Sequence, residues 1–175
     1  QGRAAGFWAA FGIHVGCYAH VFAAAFGLSA IFAIVPTLYV ALKLAGGAYL
    51  IWLGYRIIRT RMSATPTPDM PAKSRKRAFI DSMLVEILNP KVAIFFVAFL
   101  PQFVSAEATL PVWTQFLILG TVVNLSFTSA DIFTVLFASQ IQRRLVRSSR
   151  SQTFCRWIGG SLLMGLGLKL ATERS

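Results

Sequence analysis

The sequence has few charged residues and very few acidic ones. Charged side chains make up 13% of its 175 residues, against about 25% in typical soluble domains. Hydrophobic residues make up 56%, which excludes an intrinsically disordered protein, because disorder requires low hydrophobicity. Two cysteines are too few for a disulfide-stapled scaffold. The shortage of acid leaves a net charge of +11, from 17 Lys and Arg against 6 Asp and Glu. Such a chain is either a nucleic-acid binder with a large core or a membrane protein with basic loops.

Long apolar segments decide between these two classes. Residues 4–34 contain no charged side chain, and about 20 residues suffice for a helix to cross a bilayer. Within them, Gly12 and Gly16 have the small-x-x-x-small spacing of packed membrane helices. The sequence contains five long apolar segments. They predict an all-α, polytopic membrane protein that forms a single transmembrane domain over residues 1–175. They cover residues 4–34, 37–58, 79–104, 110–138 and 155–171.

The basic residues are concentrated between these segments and predict their orientation. The linkers at 59–78 and 139–154 are rich in Lys and Arg, whereas 35–38 carries no charge and 105–111 carries one acid and no base. Basic loops mark the cytoplasmic side of a membrane. Alternation then places the N-terminus inside and the C-terminus outside. A nucleic-acid-binding patch would not alternate with membrane-length segments, so we expect no nucleic-acid partner.

One internal repeat relates two of the segments. AGGAYLIWLGYRI at 45–57 is similar to IGGSLLMGLGLKL at 158–170, with an offset of 113 residues. The two copies run in opposite directions across the membrane, which is the inverted repeat of many secondary transporters. Chance similarity between apolar helices is the alternative. The identical pairs are Gly46/Gly159, Gly47/Gly160, Leu50/Leu163, Leu53/Leu166 and Gly54/Gly167.

The repeat leaves the third segment without a counterpart. With the same offset, the second segment pairs with the fifth and the first with the fourth, while the equivalent of 79–104 would lie before residue 1. The chain also opens with Gln1 rather than Met. We therefore expect a fragment of a 3+3, six-span protein that lacks its first span.

The third segment contains a helix break. Pro90 has no amide donor, and its ring clashes with the carbonyl group four residues earlier, so the helix kinks or breaks there. Counting about 1.5 Å per residue from Phe79, Asn89 and Pro90 lie near the middle of the bilayer. Transporters place substrate sites at such broken helices. The sequence thus predicts substrate contacts at Asn89 and Pro90, the alternative being an ordinary proline kink that shapes packing.

Ionisable residues lie close to this break. Glu86 and Asp131 fall at similar depths in their segments, about 10 Å from the membrane surface, and intramembrane charges are functional candidates by default. We predict that Glu86 accepts a substrate ammonium group or carries a coupling proton, with Asp131 as a second charge partner. Lys91 pairs with one of these acids or holds a substrate carboxylate, a structural pair with Glu86 being the alternative.

Other polar residues within the segments have two interpretations each. Asn124 is a substrate ligand or an interhelical hydrogen-bonding residue. His20 carries a coupling proton or is a hydrogen-bonded interior histidine. His14 and His20 lack the i,i+4 spacing of metal ligands on one helix face, and Cys17 and Cys155 form no C-x-x-C motif. We expect no metal site.

Signatures of enzymes and of nucleotide-driven pumps are missing from the sequence. No P-loop, dinucleotide fingerprint or Ser/His/Asp set occurs. We therefore expect neither an enzyme nor a cofactor, and the energy for transport would have to come from an ion gradient.

Several blocks of sequence resemble the LysE/RhtB family of bacterial amino-acid exporters. They are QGRAAG at 1–6, HVFAAAFGLSA at 20–30, LKLAGGAYLIWLGYRIIR at 42–59, ILNPKVAIFFVAFLPQFV at 87–104 and LLMGLGLKLA at 162–171. The resemblance covers nearly the whole chain. It implies a six-span exporter of amino acids or their derivatives in the bacterial inner membrane, driven by the proton motive force. Its partners would be the amino-acid substrate and the lipid bilayer, with residue 1 cytoplasmic and the C-terminus periplasmic.

The chain departs from this family in two respects. The family's first helix carries a Pro-Gly-Pro motif that matches Asn89-Pro90 in the second half, and that helix is absent here. Glu86 stands where the family more often has Asn, and Ser82 where Gly is frequent, so the family's substrate preference does not carry over. An inactive truncated remnant and a non-transporting membrane scaffold are the alternatives to an exporter. A homo-oligomer is left open.

Overall fold

The computed structural model describes residues 3–60, 74–144 and 149–172. Within these ranges the chain is helical apart from short connections, and no strand occurs. The all-α prediction is therefore confirmed. In chain order the elements are α1 (Arg3–Phe22), a π-helical segment (Ala23–Leu28), α2 (Ser29–Ile34), α3 (Pro36–Arg59), α4 (Arg75–Ile87), α5 (Pro90–Phe99), a 3₁₀ turn (Leu100–Phe103), α6 (Val112–Arg144) and α7 (Ser149–Thr172).

Much of the helical structure is suited to a bilayer. In the described part of the chain, three helices are long and apolar enough to cross it, namely Ala4–Ile34, Thr37–Arg59 and Val112–Phe137. The pair Arg75–Ile87 and Pro90–Phe103 meets the same criterion as one span bent by 53°. All five predicted segments are helical, but α7, which contains 155–171, is not among the helices that meet this criterion. The chain is thus a multi-pass membrane protein, while the count of five spans stays a prediction.

The helices extend further into the basic linkers than the apolar segments predicted. α4 begins at Arg75 rather than at 79, and Ser74 caps it by accepting a hydrogen bond from the Arg77 amide at 3.3 Å. α6 continues to Arg144 and α7 begins at Ser149. The predicted linkers, 59–78 and 139–154, are therefore partly helical, and their bounds as links between membrane spans stay a prediction. Because Lys and Arg are good helix formers, a helix can continue past the residue at which the charged sequence begins. The remaining linker residues, 61–73 and 145–148, lie outside the described residues.

Two glycines allow α1 to lie directly against α4. A side chain at Gly16 would place its Cβ 2.7 Å from the Met83 carbonyl oxygen. A side chain at Gly12 would collide with the Phe79 carbonyl oxygen in the same way. The predicted role of this glycine pair in helix packing is confirmed. α1 also packs against α6, so that α1, α4 and α6 form one group of helices.

The two copies of the internal repeat pack against each other as α3 and α7. A Cβ at Gly160 would lie 2.6 Å from the Gly54 carbonyl oxygen, and a Cβ at Gly167 would lie 2.5 Å from that of Gly47. The repeat offset exchanges these two contacts, since Gly47 corresponds to Gly160 and Gly54 to Gly167. A two-fold axis between inverted copies would produce such an exchange. The inverted repeat itself remains a prediction. α5 also packs against α3, so α3, α5 and α7 form a second group.

The buried core lies where the π-helical segment meets α5 and α6. Its members are apolar and almost fully enclosed: Cys17, Val21, Ala24, Ala25, Leu28, Tyr39, Phe96, Leu100, Val104 and Phe116.

The Gln115 side chain hydrogen-bonds to the connection that follows the 3₁₀ turn. Its side chain accepts from the Ser105 amide at 3.0 Å and donates to the carbonyl groups of Ser105 and Leu110 at 2.8 Å each. One buried amide thus satisfies the polar backbone at this end of the bundle.

Gly160→Ala is expected to destabilise the protein, because the new methyl group would press on the α3 backbone at Gly54. Gly159→Ala is the matched control, since a Cβ at Gly159 meets nothing within 4 Å. Both substitutions gain about 1 kcal/mol of helix propensity, so the two differ in packing alone. Thermal unfolding of the purified protein in detergent should show a lower midpoint for Gly160→Ala only. Equal midpoints for the two variants would contradict the close helix contact.

Candidate substrate site at the helix break

Asn89 and Pro90 form the junction between α4 and α5. Asn89 is extended, with ψ of 101°, and its side-chain oxygen accepts a hydrogen bond from the Lys91 amide at 3.1 Å. Asparagine is a favoured N-cap residue, and proline is favoured at the first helical position. The Asn-Pro pair therefore both ends α4 and starts α5, which confirms the predicted break.

The carbonyl group of Glu86 is one of the backbone acceptors that the break leaves without their normal donors. In a continuous helix it would accept from the amide of residue 90, and Pro90 has none. His20 lies 2.8 Å away through Nε2, and the Asn89 amide donates to the same oxygen at 3.1 Å. Nε2 must be protonated to donate this bond. His20 is therefore a hydrogen-bonded interior histidine, and its part in proton coupling stays a prediction.

The Glu86 side chain lies at the centre of the polar groups around the junction. It is only 9% exposed. It lies close enough to the Asn89 side chain, to His20 and to Asp131 for electrostatic interaction. The structure thus brings together four residues that the sequence singled out, from α1, α4, the junction and α6. Within the described ranges, no Lys or Arg forms an ion pair with Glu86.

A second polar cluster joins α1 to α6. Asn124 is 1% exposed, and its side-chain nitrogen donates to the His14 carbonyl group at 3.1 Å. His14 Nδ1 lies 2.7 Å from the Thr128 hydroxyl, which in turn donates to the Asn124 carbonyl group at 2.8 Å. Asn124 therefore has the interhelical role that was the alternative to a ligand. His14 and Thr128 were not predicted, although the spacing of Asn124, Thr128 and Asp131 places all three on one helix face.

Lys91 points away from the two acids. Together with residues at the end of α3 and with Arg156 of α7, it lines a separate cavity. Within the described residues it forms no ion pair with Glu86 or Asp131. The predicted pairing with either acid does not form, because the first turn of α5 turns this side chain towards α3.

An apolar cavity of about 240 Å³ adjoins the junction. An apolar cavity of about 150 Å³ is enough to hold a benzene-sized molecule. The Ala93 amide, in the lining, donates to the Asn89 carbonyl group at 3.2 Å, so the cavity is continuous with the break. Among the described residues that line it, His20 alone is ionisable. The other lining residues are Ala23, Ala24, Gly27, Leu28 and Ile31 from the first span and Ala93, Phe96 and Val97 from α5.

The π-helical segment shapes this cavity and was not predicted. π-helical turns are rare and occur frequently at functional sites. Here the Ser29 hydroxyl donates to the carbonyl groups of Ala25 and Phe26, groups that the altered helix geometry exposes. A Cβ at Gly27 would meet nothing within 4 Å, which shows the open space at this point. Among the described residues, no group of three His, Cys, Asp or Glu side chains could hold a metal ion.

Comparison with known proteins gives matches over nearly the whole chain. The family model described as LysE type translocator matches residues 1–174. An "Uncharacterized membrane protein" of Vibrio cholerae is 33% identical over 165 residues, covering 94% of this chain and 78% of that protein. A "Leucine efflux protein" of Enterobacter is 28% identical, with 95% and 79% covered. A "Homoserine/homoserine lactone efflux protein" of Salmonella typhi is 28% identical, with 93% and 78% covered. No solved structure shows significant similarity.

Asn89→Ala is expected to lower the stability of the protein by about 1 kcal/mol, the usual loss on removing an N-cap side chain. Asn89→Ser, which retains a capping oxygen, should unfold near the wild-type midpoint. Chemical or thermal unfolding in detergent measures both. If the serine variant were as unstable as the alanine variant, the side chain would not act as the cap of α5.

Proposed function

The chain belongs to the family of LysE type translocators, and from this premise we propose that it exports amino acids or their derivatives across the bacterial inner membrane. The names of the efflux proteins that it resembles support an amino-acid substrate. The observation that carries the proposal is the position of Glu86 at a helix break, as a buried acid that has no Lys or Arg partner among the described residues. Residue 1 would be cytoplasmic and the C-terminus periplasmic, as the basic linkers favour.

The groups around the junction match the three parts of an amino acid. The Glu86 carboxylate would bind the substrate ammonium group, with Asp131 adding negative charge nearby. The N-terminus of α5, which begins at Pro90, favours a substrate carboxylate through the helix dipole, as the half-helices of other transporters do. The Asn89 side chain lies between these two positions. The apolar cavity beside His20 would then receive the side chain of the substrate.

Coupling to the proton gradient follows from competition for Glu86. A buried carboxylate without a partner is costly, and either a proton or a substrate ammonium group removes that cost. The two cannot occupy the carboxylate together. A carrier that exposes this acid to the two sides of the membrane in turn would exchange one cargo for the other. We propose secondary antiport of protons and substrate on this basis, with His20 and Asp131 next to the proton-accepting group.

Glu86→Gln is expected to lower amino-acid export at least about tenfold, since a hydrogen bond to a charged group contributes roughly 1.5–3 kcal/mol. Efflux of labelled amino acids from cells expressing the protein measures the effect. Glu107→Gln, which removes an exposed acid from the connection before α6, is the matched control and should export normally. Unchanged export by Glu86→Gln would remove Glu86 from the site. A wild-type protein that exports no amino acid would favour the membrane scaffold instead.

Gly27→Leu is expected to change which substrates are exported. The added side chain would occupy the apolar cavity, so export of leucine should fall about tenfold relative to export of alanine, as the loss of roughly 1.4 kcal/mol of binding implies. Gly159→Leu is the control, because a Cβ at either glycine meets nothing within 4 Å and Gly159 lies on α7, away from the cavity. The ratio of the two export rates is the measurement. A fall of equal size for both substrates would mean that the cavity does not receive the substrate side chain.

A further inference from the structure

A second and larger cavity, of about 540 Å³, lies between the last turns of α3, the start of α5 and the first half of α7. Among the described residues that line it, three are cations and none is an acid. The lining consists of Leu53, Arg56, Ile57, Thr60, Lys91 and Arg156. Clefts lined by charge of one sign attract counter-ions of the other. The cavity is therefore a candidate site for an anion.

Arg156 has a buried guanidinium donor available for that anion. Its Nη1 donates to the Thr60 carbonyl group at the end of α3, and its Nη2 donates to the Thr153 hydroxyl at 3.0 Å. Its Nε is buried and has no hydrogen-bond partner within the described residues. Buried donors almost always have a partner, and an unpaired one points to a group that the described residues do not supply. Arginine forks match the oxygens of carboxylates and phosphates.

Exposed tryptophans place this cavity at the membrane surface. Trp52 is 50% exposed and Trp157 is 56% exposed, and each is close in sequence to one of the arginines. The Arg56 guanidinium lies over the Trp52 ring, 5.3 Å from its centroid. Tryptophan is enriched at the level of the lipid headgroups. Lys91 lies on α5, deeper in the membrane than the tryptophans. A lysine side chain can extend from there towards the surface.

We propose that this cavity binds the phosphate of an anionic phospholipid. The Arg156 Nε would donate to the phosphate, while Arg56 and Lys91 would neutralise its charge. Basic pockets between membrane helices on the cytoplasmic side are typical binding sites for such headgroups. An amino acid is a poorer match, because its ammonium group would have no acceptor side chain among these cations. The lipid would join α3, α5 and α7, which is a role apart from substrate export.

Native mass spectrometry of the purified protein tests the proposal with two lipids of equal acyl chains, phosphatidylglycerol and phosphatidylcholine. The wild-type protein should bind phosphatidylglycerol more tightly. Arg56→Gln and Arg156→Gln should each weaken that binding by about tenfold, the effect of one hydrogen bond to a charged group. Binding of phosphatidylcholine should not change. Lys76→Gln, which removes the same charge from an exposed position on α4, should bind both lipids as the wild type does.

Several results would overturn the assignment. Equal binding of the two lipids, or wild-type binding by Arg56→Gln, would show that the cavity does not recognise the phosphate. Inorganic phosphate that occupies the site as tightly as phosphatidylglycerol would identify a site for free phosphate. Displacement of the lipid by a free amino acid would identify a substrate site. If Arg156→Gln does not fold, Arg156→Lys replaces it in the test, because lysine retains the charge but not the guanidinium fork. It should bind phosphatidylglycerol more weakly than the wild type.

Discussion

The hydrogen bond from His20 to the Glu86 carbonyl group is the contact on which the candidate site depends. A membrane interior offers no water to a backbone oxygen that has lost its donor, and Pro90 removes that donor. His20, from another helix, supplies a second donor beside the Asn89 amide. His20 can do so because Gly12 and Gly16 let α1 approach the α4 backbone within contact distance. The proline, the histidine and the glycines therefore act together at the break, although 70 residues separate His20 from Pro90.

Small residues also allow close packing between α3 and α7. There the contact residues are glycines on both helices, so the backbones meet directly and each contact has a counterpart at the repeat offset. Close backbone approach increases dispersion contact between helices that gain nothing from hydrophobic burial within lipid. The polar residues that do lie in the interior have partners on other helices. Asn124 and Thr128 bind His14, and Gln115 binds the backbone of a connection.

Features that depend on local composition could be predicted from the sequence. The all-helical fold, the break at Asn89-Pro90 and the packing role of Gly12 and Gly16 all follow from residue type and spacing. Features that depend on a distant partner could not. Nothing near His20 indicates that its partner is a carbonyl group on α4, and nothing near Lys91 indicates that it turns towards Arg156. The π-helical segment lies in a run of alanine, phenylalanine and glycine that would also suit a regular helix. The helical ends at Arg75 and Arg144 were missed because charge was taken to mark a boundary.

The junction at Leu88 and Asn89 also lies between the two groups of helices. α4 packs with α1 and α6, whereas α5 packs mainly with α3, which pairs with α7. The chain passes from one group to the other within these two residues, at a bend of 53°. A rotation of one group against the other would therefore be taken up as a change of angle at this hinge, without breaking the helical hydrogen bonds on either side. Glu86 lies on α4 and Asn89 caps α5, so the same rotation would change the shape of the space between them.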